Sequence, residues 1–220
     1  MLRDQNKVVD EGRANQFVTA LASSQFICEQ HNKYTETVLQ GLAEGVEQLQ
    51  YNADEYALEL SRLISIESSE ADVMKGLRQQ RNKHMMLIAW RDLAGADLSL
   101  VLQSLSDLAD AMIRFAVDWA YFHACKKWGV PTDEVGREQK LMVIAMGKLG
   151  AQELNFSSDI DLIFCYPSSG DTDGARSISN EEFFTRLCQV LVRLLDKRTV
   201  DGFVFRVDTR LRPFGTSGAL

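Results

Sequence analysis

The sequence predicts an α+β fold, with an N-terminal helical region packed on a small mixed β-sheet. Three observations carry this. Prolines stand only at positions 131, 167 and 213, so the first 130 residues contain none, and apolar residues there recur at helical spacing. The segment Gly129 to Asp133 (GVPTD) then breaks the pattern. Beyond it come apolar runs of strand length at 140–146 and 160–166, and an alternating run at 203–211.

The helical pattern is clearest over 97–123. There Leu98, Val101, Leu102, Leu105, Leu108, Met112, Ile113, Ala116 and Trp119 form one amphipathic stripe. Shorter helices are predicted over roughly 13–30, 33–50, 54–65 and 72–93, making about five in residues 1–128. The charged stretch Arg78 to His84 reads as a solvated helix face. After the break, Lys140 to Met146 reads as a buried strand. Gly147 and Gly150 bracket a turn, with a short helix at about 150–155. Ile160 to Tyr166 is a second strand, and 167–176 a polar loop. Ser179 followed by Glu182 reads as a capping box. It opens a helix with Phe183, Leu187, Val190, Leu191, Leu194 and Leu195 on its apolar face. Asp201 and Gly202 turn the chain into a third strand, Phe203 to Leu211.

Composition excludes several classes. The net charge is -7, which argues against a nucleic-acid surface, since such surfaces carry a basic patch. No apolar run approaches the ~18 residues of a membrane span, and the N-terminus lacks the apolar core of a signal peptide. Cys28, Cys125, Cys165 and Cys188 are widely spaced, with no CxxC pair. Reduced thiols in a cytoplasmic protein are the simplest reading. The three histidines (His31, His84, His123) are scattered and read as structural.

The chemistry concentrates at 155–163 (NFSSDIDLI). Asp159 and Asp161 lie two positions apart at the start of an apolar run. On a strand they share a face, and a divalent cation is the usual way to hold two carboxylates that close. Mg²⁺ is commonly bound by one or two carboxylates plus substrate phosphates; Mn²⁺ is the alternative. The pattern points to phosphoryl or nucleotidyl transfer, against a helix N-cap or a turn as the plain alternative. On the third strand, Arg206, Asp208, Arg210 and Arg212 point one way, and Phe203, Phe205, Val207 and Leu211 the other. Guanidinium groups match phosphate oxygens, and Asp208 is placed to join the aspartate pair. The bland alternative is an edge strand with a solvated charged face. The segment 146–150 (MGKLG) is not a P-loop, because Leu149 follows Lys148 where Ser or Thr is required. It is not a dinucleotide fingerprint either, because Ala145 takes the first glycine position. It remains a glycine turn, from Gly147 and Lys148, whose N–H groups face a phosphate, with Ser157 and Ser158 as hydroxyl donors.

Residues 146–164 (MGKLGAQELNFSSDIDLIF) and 201–218 (DGFVFRVDTRLRPFGTSG) closely resemble the glutamine synthetase adenylyltransferase/deadenylylase family, and 87–93 (LIAWRDL) is similar to it as well. The resemblance covers roughly 70–220 and, more weakly, the rest. It implies a polymerase-β-like nucleotidyltransferase core over 138–220, incomplete at its C-terminus, behind a helical region over 1–128. The form of the motifs and their position resemble the N-terminal, AMP-removing half, in which phosphate releases ADP from a modified tyrosine of glutamine synthetase. Adenylyl transfer from ATP, or an inactive regulatory or docking fragment, are the alternatives. The resemblance further implies Asp159, Asp161 and Asp208 as metal carboxylates, and the PII signal protein as a regulator. Against the family pattern, Lys148 stands where a serine is usual and Ala151 where a glycine is common. A fragment of a longer protein is expected.

Overall fold

The computed structural model describes residues 10–210. Among them the chain forms α1 (Glu11–Ser23), α2 (Gln25–Gln30), α3 (Thr35–Glu44), α4 (Ala53–Leu63), α5 (Glu70–Leu93), α6 (Leu98–Trp128), β1 (Met142–Met146), α7 (Gly147–Gly150), β2 (Ile160–Cys165), α8 (Asn180–Asp196) and β3 (Val207–Asp208). The sheet is mixed, in the order β1-β2-β3. β1 runs antiparallel to β2, and β2 parallel to β3. The protein is therefore α+β. No helix among the described residues is long and apolar enough to cross a membrane, and the four cysteines form no disulfide.

Capping chemistry sets the helix boundaries. The expected helix at 13–30 is two helices, because Ser24 is extended (φ -134°, ψ 110°) and its hydroxyl accepts from the Ile27 N–H. A full capping box, Asn52 with Glu55, opens α4, and Ser69 caps α5. Ser179 caps α8, but the reciprocal half of its box is not made, because the Glu182 carboxylate takes Arg186 instead. α6 runs past the expected end to Trp128 and stops at Gly129, whose φ of 88° only glycine adopts readily. Its 31 residues span about 46 Å at 1.5 Å per residue.

The helix α6 is the post on which the rest is built. One apolar core joins α4, α5, α6, α8, the inner face of β2 (Ile160, Leu162) and the pair Val204 and Phe205. A smaller core packs α1 to α3 on the end of α5 around Trp90. Beside it, His84 is buried between Tyr51 and Tyr56, its Nε2 2.8 Å from Glu59. His31 and His123 bond the backbone carbonyls of Cys28 and Ile66.

Three expectations need correction. The Arg78–His84 stretch is not a solvated face: Arg78 is 0% exposed, and Asn82 and His84 are buried too. Arg78 donates to the carbonyls of Met74 (2.8 Å), Leu194 (3.0 Å), Gly202 (2.9 Å) and Lys197. It thereby ties α5 to the end of α8 and the turn that leads to β3. Second, β1 is an edge strand and not a buried one. Met142, Ile144 and Met146 are 48%, 46% and 38% exposed, while Val143 and Ala145 face the core. Third, the strand expected over Phe203–Leu211 is only Val207–Asp208 within the described residues. Val204 and Phe205 are both buried, and both their N–H groups bond the Leu195 carbonyl, which breaks the alternation. Leu211 and Arg212 lie outside the described residues.

Arg78→Met should lower stability by about 3 kcal/mol or more, since it orphans several buried carbonyls at ~1–3 kcal/mol each. Urea denaturation will check this: a lowered midpoint at unchanged slope is expected, and an unchanged midpoint contradicts the tie.

Candidate active site

Backbone register places the carboxylates. Asp161 is the second residue of β2 and pairs with Met146 on one side and Asp208 on the other. Register partners on neighbouring strands face the same way, with strands ~4.8 Å apart, so Asp161 and Asp208 stand side by side on one sheet face. The ladder is extended by the Ile160 N–H, which bonds the Arg206 carbonyl at 2.9 Å. The sequence pattern has thus put two of its three carboxylates together.

The glycine turn closes over Asp161. Gly147 follows β1 with φ +54°, and a Cβ built there would lie 2.5 Å from the Asp161 Oδ2. Only glycine combines that backbone angle with that approach. The expected helix at 150–155 is instead the single turn Gly147–Gly150. Ala151 has φ -85°, so the replacement of glycine there carries no strain. The left-handed residue is Gln152, at φ 58°. Its side chain bonds Asp110 of α6 at 3.2 Å and the Leu149 carbonyl at 3.2 Å. Leu154 is buried, and its N–H bonds Ser106 of α6 at 3.1 Å. The turn is therefore pinned to the long helix at two points.

Asn155 shapes the loop before β2. Its carboxamide oxygen accepts from the Ser157 N–H (3.2 Å) and the Ser158 hydroxyl (2.7 Å). Lys148 reaches across to donate to Ser158 Oγ at 3.1 Å. Lys148, Ser157 and Ser158 therefore share one rim with Asp159. Sequence reasoning gave no role to Asn155 or Gln152; the turn-forming habit of asparagine was the available signal.

Two arginines answer the carboxylates. Arg206 forms an ion pair with Asp159, and its Nη2 donates to the Ser157 carbonyl at 2.5 Å. Arg210 forks onto Asp208, its Nε 3.0 and 2.9 Å from the two carboxylate oxygens, while its N–H bonds Oδ1 at 2.9 Å. The Arg210 side-chain hydrogen bonds hold the Asp208 carboxyl down at about 2. Arg210 is itself raised, first by Asp208 and then by the charges of Asp159 and Asp161. All three carboxylates thus act on one guanidinium. The alternation that aimed Arg206 at solvent phosphates is modified here, because its guanidinium turns back on the Asp159 loop. Among the described residues, no group of three or more His, Cys, Asp or Glu is gathered as a metal site; Arg206 and Arg210 occupy two of the three carboxylates.

The strand-turn thus seats Asp161 against Gly147, beside Asp208 on the next strand. The Glutamate-ammonia ligase adenylyltransferase family model matches residues 14–220. The chain belongs to this family. Relatives called "Bifunctional glutamine synthetase adenylyltransferase/adenylyl-removing enzyme" are similar to it. That of Thioalkalivibrio sulfidiphilus is 50% identical over 169 residues, 76% of this chain and 17% of the relative. That of Shewanella woodyi is 48% identical over 199 residues, 90% of this chain and 21% of the relative. That of Vibrio parahaemolyticus is 46% identical over 217 residues, 98% of this chain and 22% of the relative. The chain thus spans about a fifth of the length of the curated relatives it matches.

Gly147→Ala should displace the Asp161 carboxylate and strain the turn at once, costing about 1–3 kcal/mol. Thermal unfolding should show that loss, whereas Ala151→Gly should cost under about 1 kcal/mol. Equal effects at the two positions would contradict the close approach.

Proposed function

We propose that this chain carries the site that removes AMP from a tyrosine of glutamine synthetase by phosphorolysis, releasing ADP. The observation that supports it best is the Asp161 and Asp208 pair, side by side and answered by Arg210. The relatives' name includes both adenylyl transfer and adenylyl removal, and residues 155–161 and 210–218 resemble the removing half. The sheet order and the carboxylate positions are compatible with a polymerase-β-like core.

The donor set suits Mg²⁺ or Mn²⁺: the ligands are carboxylate oxygens, and the site already holds a cation, the Arg210 guanidinium. Asp161 and Asp208 would hold the metal, with Asp159 joining them. The metal would neutralise charge developing at phosphorus.

The chain's own residues do the rest. Lys148, Ser157 and Ser158 bind phosphate oxygens along the loop rim. Arg210 and Arg212 bind the incoming inorganic phosphate, and Arg206 keeps the loop in place through the Ser157 carbonyl. A phosphate oxygen attacks the AMP phosphorus in line, and the bond from phosphorus to the tyrosine oxygen breaks. The tyrosine oxygen takes up the proton that the attacking hydrogen phosphate gives up, leaving ADP and unmodified glutamine synthetase. Phosphate is largely ionised near neutral pH, so no strong general base is needed.

The test is ADP release from adenylylated glutamine synthetase with phosphate and Mg²⁺, run with this chain and with a full-length relative. In the relative, substitution of the aspartate aligned with Asp161 by asparagine should slow release at least a hundredfold, or about 2.7 kcal/mol of barrier. Normal release would reject the assignment. ATP consumption with unmodified glutamine synthetase, and no ADP from the modified form, would assign the opposite direction.

A further inference from the structure

Residues 87–93 share the family resemblance, yet supply nothing to the aspartate site. Their charged centre is Arg91, in the last turn of α5. It is 5% exposed. Its Nη2 donates to Ser104 of α6 at 2.7 Å, which fixes the guanidinium in place. Its Nε is sealed off without a partner. Nη1 also lacks a hydrogen bond among the described residues but is not sealed off, and Arg91 lines an open cleft of about 440 Å³. That volume is in the range of small-molecule sites. Burial pulls the Arg91 pKa down, with Tyr56 as the one opposing influence.

The first turn of α1 completes the cleft. Phe17 packs on Trp90 with ring centroids 4.5 Å apart. Arg13 lies one turn before Phe17, and Arg91 follows Trp90, so the two arginines line the same space. Gly12 lines it too, and its N–H, in the first helical turn, has no intrahelical partner. That end of a helix carries positive charge. One Arg13 nitrogen donates to the Ala43 carbonyl at 2.7 Å. Neither arginine forms an ion pair among the described residues. Two acids, Asp10 and Glu47, also line the cleft. Asp10 is engaged as the cap of α1, its Oδ1 accepting from the Arg13 N–H at 3.0 Å. Glu47 is exposed, where water and salt screen its charge. The buried charge left unanswered is therefore the single one on Arg91. Val46 adds an apolar stretch of wall.

We infer that this cleft binds a small monocarboxylate with a short apolar body, its carboxylate held by the Arg91 Nη1, the Arg13 guanidinium and the Gly12 N–H. A carboxylate has two oxygens with room for several donors, and hydrogen bonds between charged partners are the strong ones. One negative charge answers Arg91 and lifts the cost of leaving its donor unused in a buried place. A polyanion such as a nucleoside diphosphate would bring its excess charge against Asp10 and Glu47. None of the lining residues belongs to the aspartate site, so the inference stands or falls independently of the proposed function.

Nuclear magnetic resonance of this chain, titrated with sodium butanoate at constant ionic strength, tests the assignment. The backbone amide of Gly12 and the Nε–H of Arg91 report on the cleft, and the amide of Gly147 on the aspartate site. The first two should shift and saturate with a dissociation constant of roughly millimolar, the range open to so small a ligand, while Gly147 stays still. Inorganic phosphate and ADP should each move Gly12 less than butanoate does at equal concentration. Arg91→Met should weaken butanoate by about tenfold or more, the worth of a hydrogen bond to a charged group. Arg13→Met, at a half-buried position, should weaken it by about threefold or more, and it keeps the test decisive if Arg91→Met unfolds. Absent shifts, shifts that grow without saturating, equal shifts from sodium chloride, or unchanged affinity in Arg13→Met would overturn the site. Tighter binding of phosphate or ADP at Gly12 would overturn the ligand class.

Discussion

Two carboxylates on neighbouring strands, facing the same way at the ~4.8 Å spacing of a sheet, repel one another unless a cation stands between or beside them. The rest of this structure depends on that constraint. The register of β2 and β3 sets Asp161 beside Asp208, and Gly147 lets the backbone close on the Asp161 carboxylate. Arg210 supplies the compensating charge by forking onto Asp208. Arg206 does the same for Asp159. Guanidinium groups that quench acids in this way are also suited to phosphate oxygens, and on the function proposed above a divalent cation and phosphates would take their place.

That arrangement is only as firm as what holds the strands. A three-stranded sheet whose last strand has two described residues has little cohesion of its own. Its order comes from α6 and α5. Gln152 and Leu154 fasten the glycine turn to Asp110 and Ser106 on α6. Arg78, buried in α5, fastens the Gly202 turn and the end of α8 through backbone carbonyls, and Val204 and Phe205 seat the lead-in to β3 in the core. The helical half thus sets the position of Asp208, although none of its described residues bonds the carboxylate cluster.

Much of this was legible in the residues. The proline-free start, the stripe on α6 and the capped α8 all follow from local rules, and so do the paired aspartates ahead of an apolar run. What escaped was decided by distant partners. Arg78 looks solvent-facing in any local window, because its carbonyl partners on α8 and beyond lie more than a hundred positions away. β1 reads as buried because its five residues are all apolar; nothing in them says that the face carrying Met142, Ile144 and Met146 stays exposed. The stretch 203–206 alternates like a strand, yet the Leu195 carbonyl captures two consecutive N–H groups. Arg206 and Arg210 were visible as a basic face, but their attachment to Asp159 and Asp208 depends on three-dimensional proximity that spacing does not encode.

The central claim is that Asp161 and Asp208 form a cation site in which Arg210 stands in for a divalent metal. Titration of the chain with Mn²⁺, followed by electron paramagnetic resonance, tests it most directly. Arg210→Ala should bind Mn²⁺ more tightly than the wild type, because a competing charge is removed, and Asp161→Asn should bind it at least tenfold more weakly. Unchanged Mn²⁺ affinity in both variants would contradict the account.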